Sequence, residues 1–305
     1  MRIIRDLNAV SLERETVLTV GAFDGLHLGH QSLLKRLMSS ARESGRLSGV
    51  VTFDPPPRRV LSPDSNIICL TTLEDKIELL DSWGLDLLVI ITFTLELAGT
   101  SARDFVRPLR DQLRMAELWV GWNFALGRGR EGDAPALKKL GQEMGFAVNV
   151  IEPVGEGTTA ISSTQIRGLL GAGRVREAAE MLGRYYHLNG IVVPGVGRER
   201  HVGYHTANLN VRQSCSLLSS GVYAAYAIVR GRRYLGVVNL GTRPTFGEGP
   251  PTLEVHLLDF EGQLEGETVR VQFVERLRNE RQFANVKALR AQIKKDIARA
   301  RDILT

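Results

Sequence analysis

The ten residues GAFDGLHLGH, 21 to 30, set an aspartate and two histidines, the latter three positions apart, among three glycines. Two of the chain's six histidines fall in this one stretch. It lies between the apolar run Thr16 to Val20, which reads as a central strand, and QSLLKRLMSSARESG from Gln31, which has the period of an amphipathic helix. A turn from a parallel strand into a helix offers unpaired backbone N–H groups and the positive end of the helix dipole, a setting that suits phosphate. A single histidine at a helix start usually caps or packs. Two of them flanking a glycine can face one anion together, because Gly29 lacks the side chain that would hold a phosphate off the backbone. Gly21, Phe23 and Asp24 belong to the same turn.

Two further clusters suit the same chemistry. VGWNFALGRGREGD, 120 to 133, follows an apolar run and holds four glycines and two arginines. At the carboxyl end of a parallel strand, Asn123 can read a base or ribose while Arg128 and Arg130 meet phosphate. ISSTQIRGLL, 161 to 170, puts Ser162, Ser163 and Thr164 at a helix start and Arg167 one turn inside. One of the serines could simply be an N-cap. The guanidinium makes the group a clamp for a triphosphate whose β and γ groups leave as pyrophosphate.

The elements that must position these residues fall into two patterns. Up to Gly183 strands and helices alternate: LSGVVTF, TTLEDKIELLDSWG with capping-box spacing from Thr71 to Glu74, LDLLVIITF, SARDFVRPLRDQL, ELWVGW, APALKKLGQEMG, FAVNVIEP. This predicts an α/β, doubly wound parallel sheet. From Ile191 short β-like runs separated by Gly and Pro (GIVVPG, GVYAAYAIV, RRYLGVVNLG, TLEVHLLDF, TVRVQFVERL) predict a small antiparallel barrel, closed by the helix NVKALRAQIKKDIARARDIL. The expected domains are 1–183 and 184–305.

At 305 residues the chain can bury two cores without staples. Its two cysteines, Cys69 and Cys215, lack metal-ligand spacing and read as structural thiols of a reducing compartment, so a cytoplasmic protein is expected. The N-terminus has no signal-like apolar region, and no apolar run reaches the ~18–20 residues that cross a bilayer. The net charge of +5 is uneven: residues 1–183 carry 21 Lys/Arg against 23 Asp/Glu, the remainder 18 against 11. The basic residues of the second half are scattered without a tract or aromatic ladder, so anionic small substrates are expected rather than nucleic acid or membrane. Oligomeric state is not legible.

The pair His27 and His30 around Gly29 resembles the HxGH signature of the nucleotidyltransferases. With VGWNFALGRGREGD and ISSTQIRGLLGAGRVREAAEMLGR in order, and with TANL, GVVNLGTRPTF, LEVHLLDF and LRNERQF beyond, the whole chain resembles the bifunctional bacterial riboflavin kinase/FAD synthetases. The resemblance implies ATP-dependent phosphorylation of riboflavin to FMN by the barrel, then adenylylation of FMN to FAD by the first domain. It implies that His27 and His30 stabilise developing charge, and that Gly21, Phe23, Asp24, Gly29, Asn123, Arg128, Ser163, Thr164 and Arg167 belong to the ATP site. In the second domain it implies that Thr206 and Asn208 hold Mg2+ with ATP oxygens, that Glu254 takes the proton from the riboflavin hydroxyl, and that Gly195 and Gly197 in GVGR form a flap over the ATP phosphates. Three positions depart from the family's wording: Pro56 in FDPPP stands where histidine is usual, His205 precedes TAN in place of proline, and Glu265 replaces a common tyrosine. A flavin- or nucleotide-binding regulator derived from the enzyme, or an enzyme with one active half, are the alternatives.

Overall fold

Strands of a parallel sheet covered on both faces need continuous apolar sequence, and TVLTV supplies it with all five residues buried. The computed structural model describes residues 1–64, 68–152, 160–194, 206–211, 217–241 and 252–305. It forms two compact units, Met1–Ser162 and Ser163–Thr305.

In order, the first unit contains β1 (Arg2–Ile4), β2 (Thr16–Val20), α1 (Leu28–Glu43), β3 (Leu47–Phe53), α2 (Pro57–Leu61), α3 (Leu73–Ser82) and β4 (Leu87–Ile91). There follow α4 (Leu95–Ala98), α5 (Ala102–Gln112), β5 (Met115–Gly121), the short hairpin β6 (Ala125–Leu126) and β7 (Gly132–Asp133), α6 (Ala134–Met144) and β8 (Ala147–Ile151). Six strands form one sheet in the order β1-β4-β3-β2-β5-β8, every pairing parallel. Leu33 and Leu34 of α1 and Leu80 of α3 pack on one face against Val50 and Leu88. Phe105 and Leu109 of α5 and Leu137 of α6 cover the other, against Leu18 and Leu118. From β2 the chain runs to β3 and β4, whereas β5 lies on the other side of β2 and leads outward to β8. The connections after β2 and β5 therefore diverge, opening a crevice at the carboxyl ends of these neighbours.

The second unit consists of α7 (Ser163–Gly171), α8 (Val175–Leu182), β9 (Tyr186–Val193), β10 (Ala207–Val211), β11 (Gly221–Val229), β12 (Arg232–Gly241), β13 (Thr252–Leu257), β14 (Thr268–Arg278) and α9 (Val286–Leu304). Its six strands close into a barrel in the order β10-β13-β12-β11-β14-β9, antiparallel throughout. α9 lays Ala300 and Leu304 on Val222, Ala224, Val274 and Leu277. Arg278 clasps the buried carboxylate of Asp296 on α9 through Nε (3.0 Å) and Nη2 (2.9 Å). α8 buries Val175, Ala178 and Leu182, and its Arg176 pairs with Glu275 of β14.

The expected fold class holds in both halves. LSGVVTF, GVYAAYAIV and RRYLGVVNLG are strands residue for residue. Two details differ. α1 begins at Leu28, ahead of Gln31, so His27 is its N-cap residue and His30 lies within its first turn. The cap of α3 is Thr72, whose Oγ1 accepts from the Asp75 N–H at 3.1 Å, because Thr71 is held one residue upstream by its own N–H bond to Asp24. Among the described residues no helix is long and apolar enough to cross a membrane.

Candidate active sites

In the first unit the turn after β2 holds three residues in the left-handed region within four positions: Phe23 (φ 48°), Gly25 (82°) and Leu26 (42°). For residues with a side chain this backbone costs about 1–2 kcal/mol each, so the surroundings must impose it. They do so from two sides. Asp24 Oδ1 accepts from the Leu70 N–H (2.9 Å) and the Thr71 N–H (3.3 Å), fastening the turn to the segment that enters α3. From α3, Lys76 Nζ donates to the Ala22 carbonyl (2.6 Å) and to Thr52 Oγ1 on β3 (3.1 Å).

The turn delivers both histidines to the amino end of α1. Their rings stack with centroids 3.8 Å apart and planes 19° from parallel. Phe23 meets His30 edge-on at 5.1 Å. His27 is buried and makes no side-chain capping bond to α1, so capping does not explain it. A Cβ on Gly29 would lie 3.2 Å from two atoms of the His27 ring, and one on Gly21 would lie 3.0 Å from the Phe23 ring. Both glycines thus make room for aromatic neighbours. Burial, then the neighbouring His27 and then Lys76, hold the His30 pKa well below the ordinary imidazole value of 6.5. His30 is therefore neutral at pH 7, and its buried Nδ1 has no hydrogen-bond partner among the described residues.

Asn123 sits in the exposed turn after β5, the strand paired with β2; Arg128 is also exposed. Arg130 donates to the Asn123 carbonyl at 3.0 Å, so it braces the loop. The Ile161 carbonyl lies 3.9 Å from where a Gly29 Cβ would stand. Pro56, one of the three departures, is the extended residue that begins α2 after β3. In the second unit α7 begins at Ser163, with Thr164 exposed and Arg167 half-buried one turn further on.

The barrel carries a second constellation. Asn208 on β10 stands opposite Glu254 on β13, and Glu254 stands opposite Asn239 on β12. Residues opposite one another on paired strands project to one side of a sheet, so these three form a row. Thr206 lies just before β10, its Oγ1 buried with no hydrogen-bond partner among the described residues. Two cavities of about 310 Å3 each meet at this threonine. One, between the barrel wall and α9, is lined by Glu254 and Asn239 with Val237, Phe283 and Ile293. The other is lined by Val192, Pro194, Phe260, Leu264 and Glu265. Gly195, Gly197 and His205 lie outside the described residues. Lys76 and Asn239 are absent from the sequence reading: one looks like the polar face of an amphipathic helix, the other like a residue of an alternating strand, and only the fold brings them to the sites.

A parallel sheet with paired histidines at its switch point, followed by a barrel that sets an Asn/Glu/Asn row beside a buried threonine, is the architecture of an enzyme with one candidate site in each half. Comparison with known proteins gives the particulars. The FAD synthetase family model matches residues 10–165 and the riboflavin kinase family model matches residues 182–304. The bifunctional riboflavin kinase/FMN adenylyltransferase of Escherichia coli K12 is 36% identical over 99% of this chain and 97% of its own. The protein so named from Pseudomonas fluorescens is 38% identical over 99% and 97%, and that of Bacillus subtilis 34% over 93% and 91%. A crystal structure described as a macrolide-efflux protein from Streptococcus pneumoniae superposes with a TM-score of 0.91 at 27% identity, covering 98% of each chain. The chain belongs to the bifunctional riboflavin kinase/FMN adenylyltransferase family.

Proposed function

We propose that the chain phosphorylates riboflavin to FMN with ATP in the barrel, assigned to residues 184–305, and adenylylates FMN to FAD in residues 1–183. The observation that carries the reading is the meeting of two cavities at Thr206, with the Glu254 carboxylate in one of them. The larger apolar lining beside α9 suits a flavin ring system, which leaves the second cavity for ATP. Glu254 then removes the proton from the riboflavin hydroxyl as its oxygen attacks the γ-phosphorus, and ADP leaves with the bridging oxygen. Thr206 Oγ1 and the Asn208 side chain offer neutral oxygens of the kind a hard cation takes, and they would hold Mg2+ together with ATP phosphates. When bound, that ion supplies charge neutralisation on the transferred phosphoryl group. Gly195 and Gly197 are assigned to the flap over the ATP phosphates on resemblance alone.

In the first unit an FMN phosphate oxygen attacks the α-phosphorus of ATP, the bond to the β-phosphate breaks, and pyrophosphate departs. The nucleophile is already ionised at neutral pH, so the protein's work is alignment and charge stabilisation. His27 and His30 supply imidazole groups at the crevice, His30 as a neutral N–H donor. Gly21, Phe23 and Gly29 shape the turn, and Asn123 and Arg128 of the first unit are assigned to ATP; Ser163, Thr164 and Arg167, which belong to the second unit, are assigned to ATP on resemblance alone. Asp24 serves by fixing the turn. The two cysteines without metal-ligand spacing support the reading of a cytoplasmic enzyme. The test is to incubate the purified chain with riboflavin, ATP and Mg2+ and to separate the flavins. FMN should form first and FAD second. Flavin bound without turnover would support the regulator reading, and a single product would support an enzyme with one active half.

A further inference from the structure

Lys76 stands on α3 with 5% of its surface exposed, an unusual place for an ammonium group. Removing a charge from water is costly unless partners compensate, and an apolar residue of similar volume commonly fills such a space as well. A fold that needed only packing here would have no use for a lysine. What the ammonium does is specific: it draws the Ala22 carbonyl to 2.6 Å and the Thr52 hydroxyl to 3.1 Å, tying α3 and β3 to the underside of the histidine turn. Because the peptide unit is planar and trans, turning the Ala22 carbonyl toward Lys76 aims the Phe23 N–H to the opposite side. That peptide immediately precedes the left-handed residue Phe23, whose ring abuts His30.

We propose that Lys76 is a positioning residue for adenylyl transfer, fixing the Ala22–Phe23 peptide and placing a buried positive charge beneath the anion site without itself touching substrate. The inference rests on the reading of the first unit as an adenylyltransferase. A fixed charge in a water-excluded setting acts on developing negative charge more strongly than it would in solvent, and it needs no reorganisation at the moment of reaction. The groups that face it are Asp24 on the turn, Cys69 ahead of α3, Asp54 after β3, and His30 in the first turn of α1. Asp24, Cys69 and Asp54 oppose the burial that draws the Lys76 pKa down. Lys76 in turn joins burial and His27 in keeping the proton off the second imidazole of His30.

Lys76→Met and Lys76→Arg, compared with the wild-type chain, test the proposal through kcat, KM for ATP, and the pH profile of kcat/KM for FAD formation from supplied FMN. Thermal unfolding of the same preparations, followed by circular dichroism, reports folding of the first unit, which the kinase activity of the barrel would not reveal. Lys76→Met should lower kcat by about 10²-fold, the cost of roughly 1 Å of misplacement, with KM for ATP little changed. With the ammonium gone, His30 takes up its proton more readily, so the acid limb of kcat/KM should move to higher pH. Lys76→Arg keeps the charge but not the reach; it should lose kcat while retaining the wild-type acid limb. Wild-type kcat and acid limb in Lys76→Met would overturn the proposal. So would loss of transferase activity in both variants together with loss of the first unit's cooperative melting transition, which marks a role in folding alone. A wild-type chain that phosphorylates riboflavin but makes no FAD overturns the underlying reading, a result distinct from either.

Discussion

A neutral imidazole and an imidazolium meet a phosphate differently, and at His30 the surroundings choose the neutral form. The cluster was legible because its members are neighbours in sequence: His27, Gly29 and His30 are one motif whatever the fold. The charge state is not legible, because it depends first on burial, then on the neighbouring His27, and then on Lys76 reaching in from a helix 46 positions downstream of His30. A lowered folded-state pKa has a thermodynamic signature. Above about pH 6.5, the unfolded value, His30 is neutral in both states and contributes no pH dependence. Below it the unfolded chain binds a proton that the folded site refuses. Stability must therefore fall with pH from about 6.5 down to the folded value. Thermal unfolding between pH 7 and 5 should show a shallower acid decline for His30→Gln than for the wild-type chain, and equal slopes would mean that the buried imidazole is not the group responsible. The same substitution should stop FAD production while FMN still accumulates.

At the scale of elements, the strands were the most legible part, because continuous apolar runs specify buried parallel strands and alternation specifies the barrel. Boundaries that depend on side-chain bonding were not: α1 starts early around the histidines, and Asp24 shifts the cap of α3 by one residue. β10 is not legible in the sequence, since TANL is too short to show a period; yet its pairing with β13 is what sets Asn208 beside Glu254. Two substitutions separate element stability from site geometry. Gly29→Ala should stabilise α1 by up to about 1 kcal/mol through helix propensity. Its new Cβ, 3.2 Å from the His27 ring, must displace that ring. The expected result is an unchanged or higher melting temperature together with FAD formation slowed by about tenfold or more, given that ~1 Å of misplacement can cost 10²-fold; loss of stability instead would show that the ring cannot give way. On the barrel, Glu254→Ala leaves the strand pairing intact but removes the base. Riboflavin phosphorylation should fall by about 10²- to 10⁴-fold while supplied FMN is still converted to FAD, as flavin chromatography can show.

At the scale of the whole molecule, the change from alternating α/β to short β-runs made two modules legible, but not which helices belong to which. The functional division proposed at 183/184 follows that change in grammar. The compact units divide at Ser162/Ser163, and α8 buries Val175, Ala178 and Leu182 in the second of them. An amphipathic helix displays an apolar face without naming its partner, so the assignment of α8 needed the fold. The two divisions predict different behaviour for two fragments. Residues 163–305 should fold alone and phosphorylate riboflavin, since Thr206, Asn208 and Glu254 all lie within them. Residues 184–305 should retain the same activity, because those groups remain, but they lose the burial of Val175 and Leu182, worth about 1.5–3 kcal/mol each. The shorter fragment should therefore melt lower by on the order of 10 °C. The deficit should persist at high salt, because it arises from apolar contact, whereas the exposed pair of Arg176 with Glu275 contributes at most about 1 kcal/mol and is screened. Calorimetry of both fragments with a riboflavin phosphorylation assay decides the matter. Equal melting temperatures would assign α7 and α8 no part in the barrel's stability, and a folded 163–305 fragment without kinase activity would show that the barrel borrows groups from the first unit.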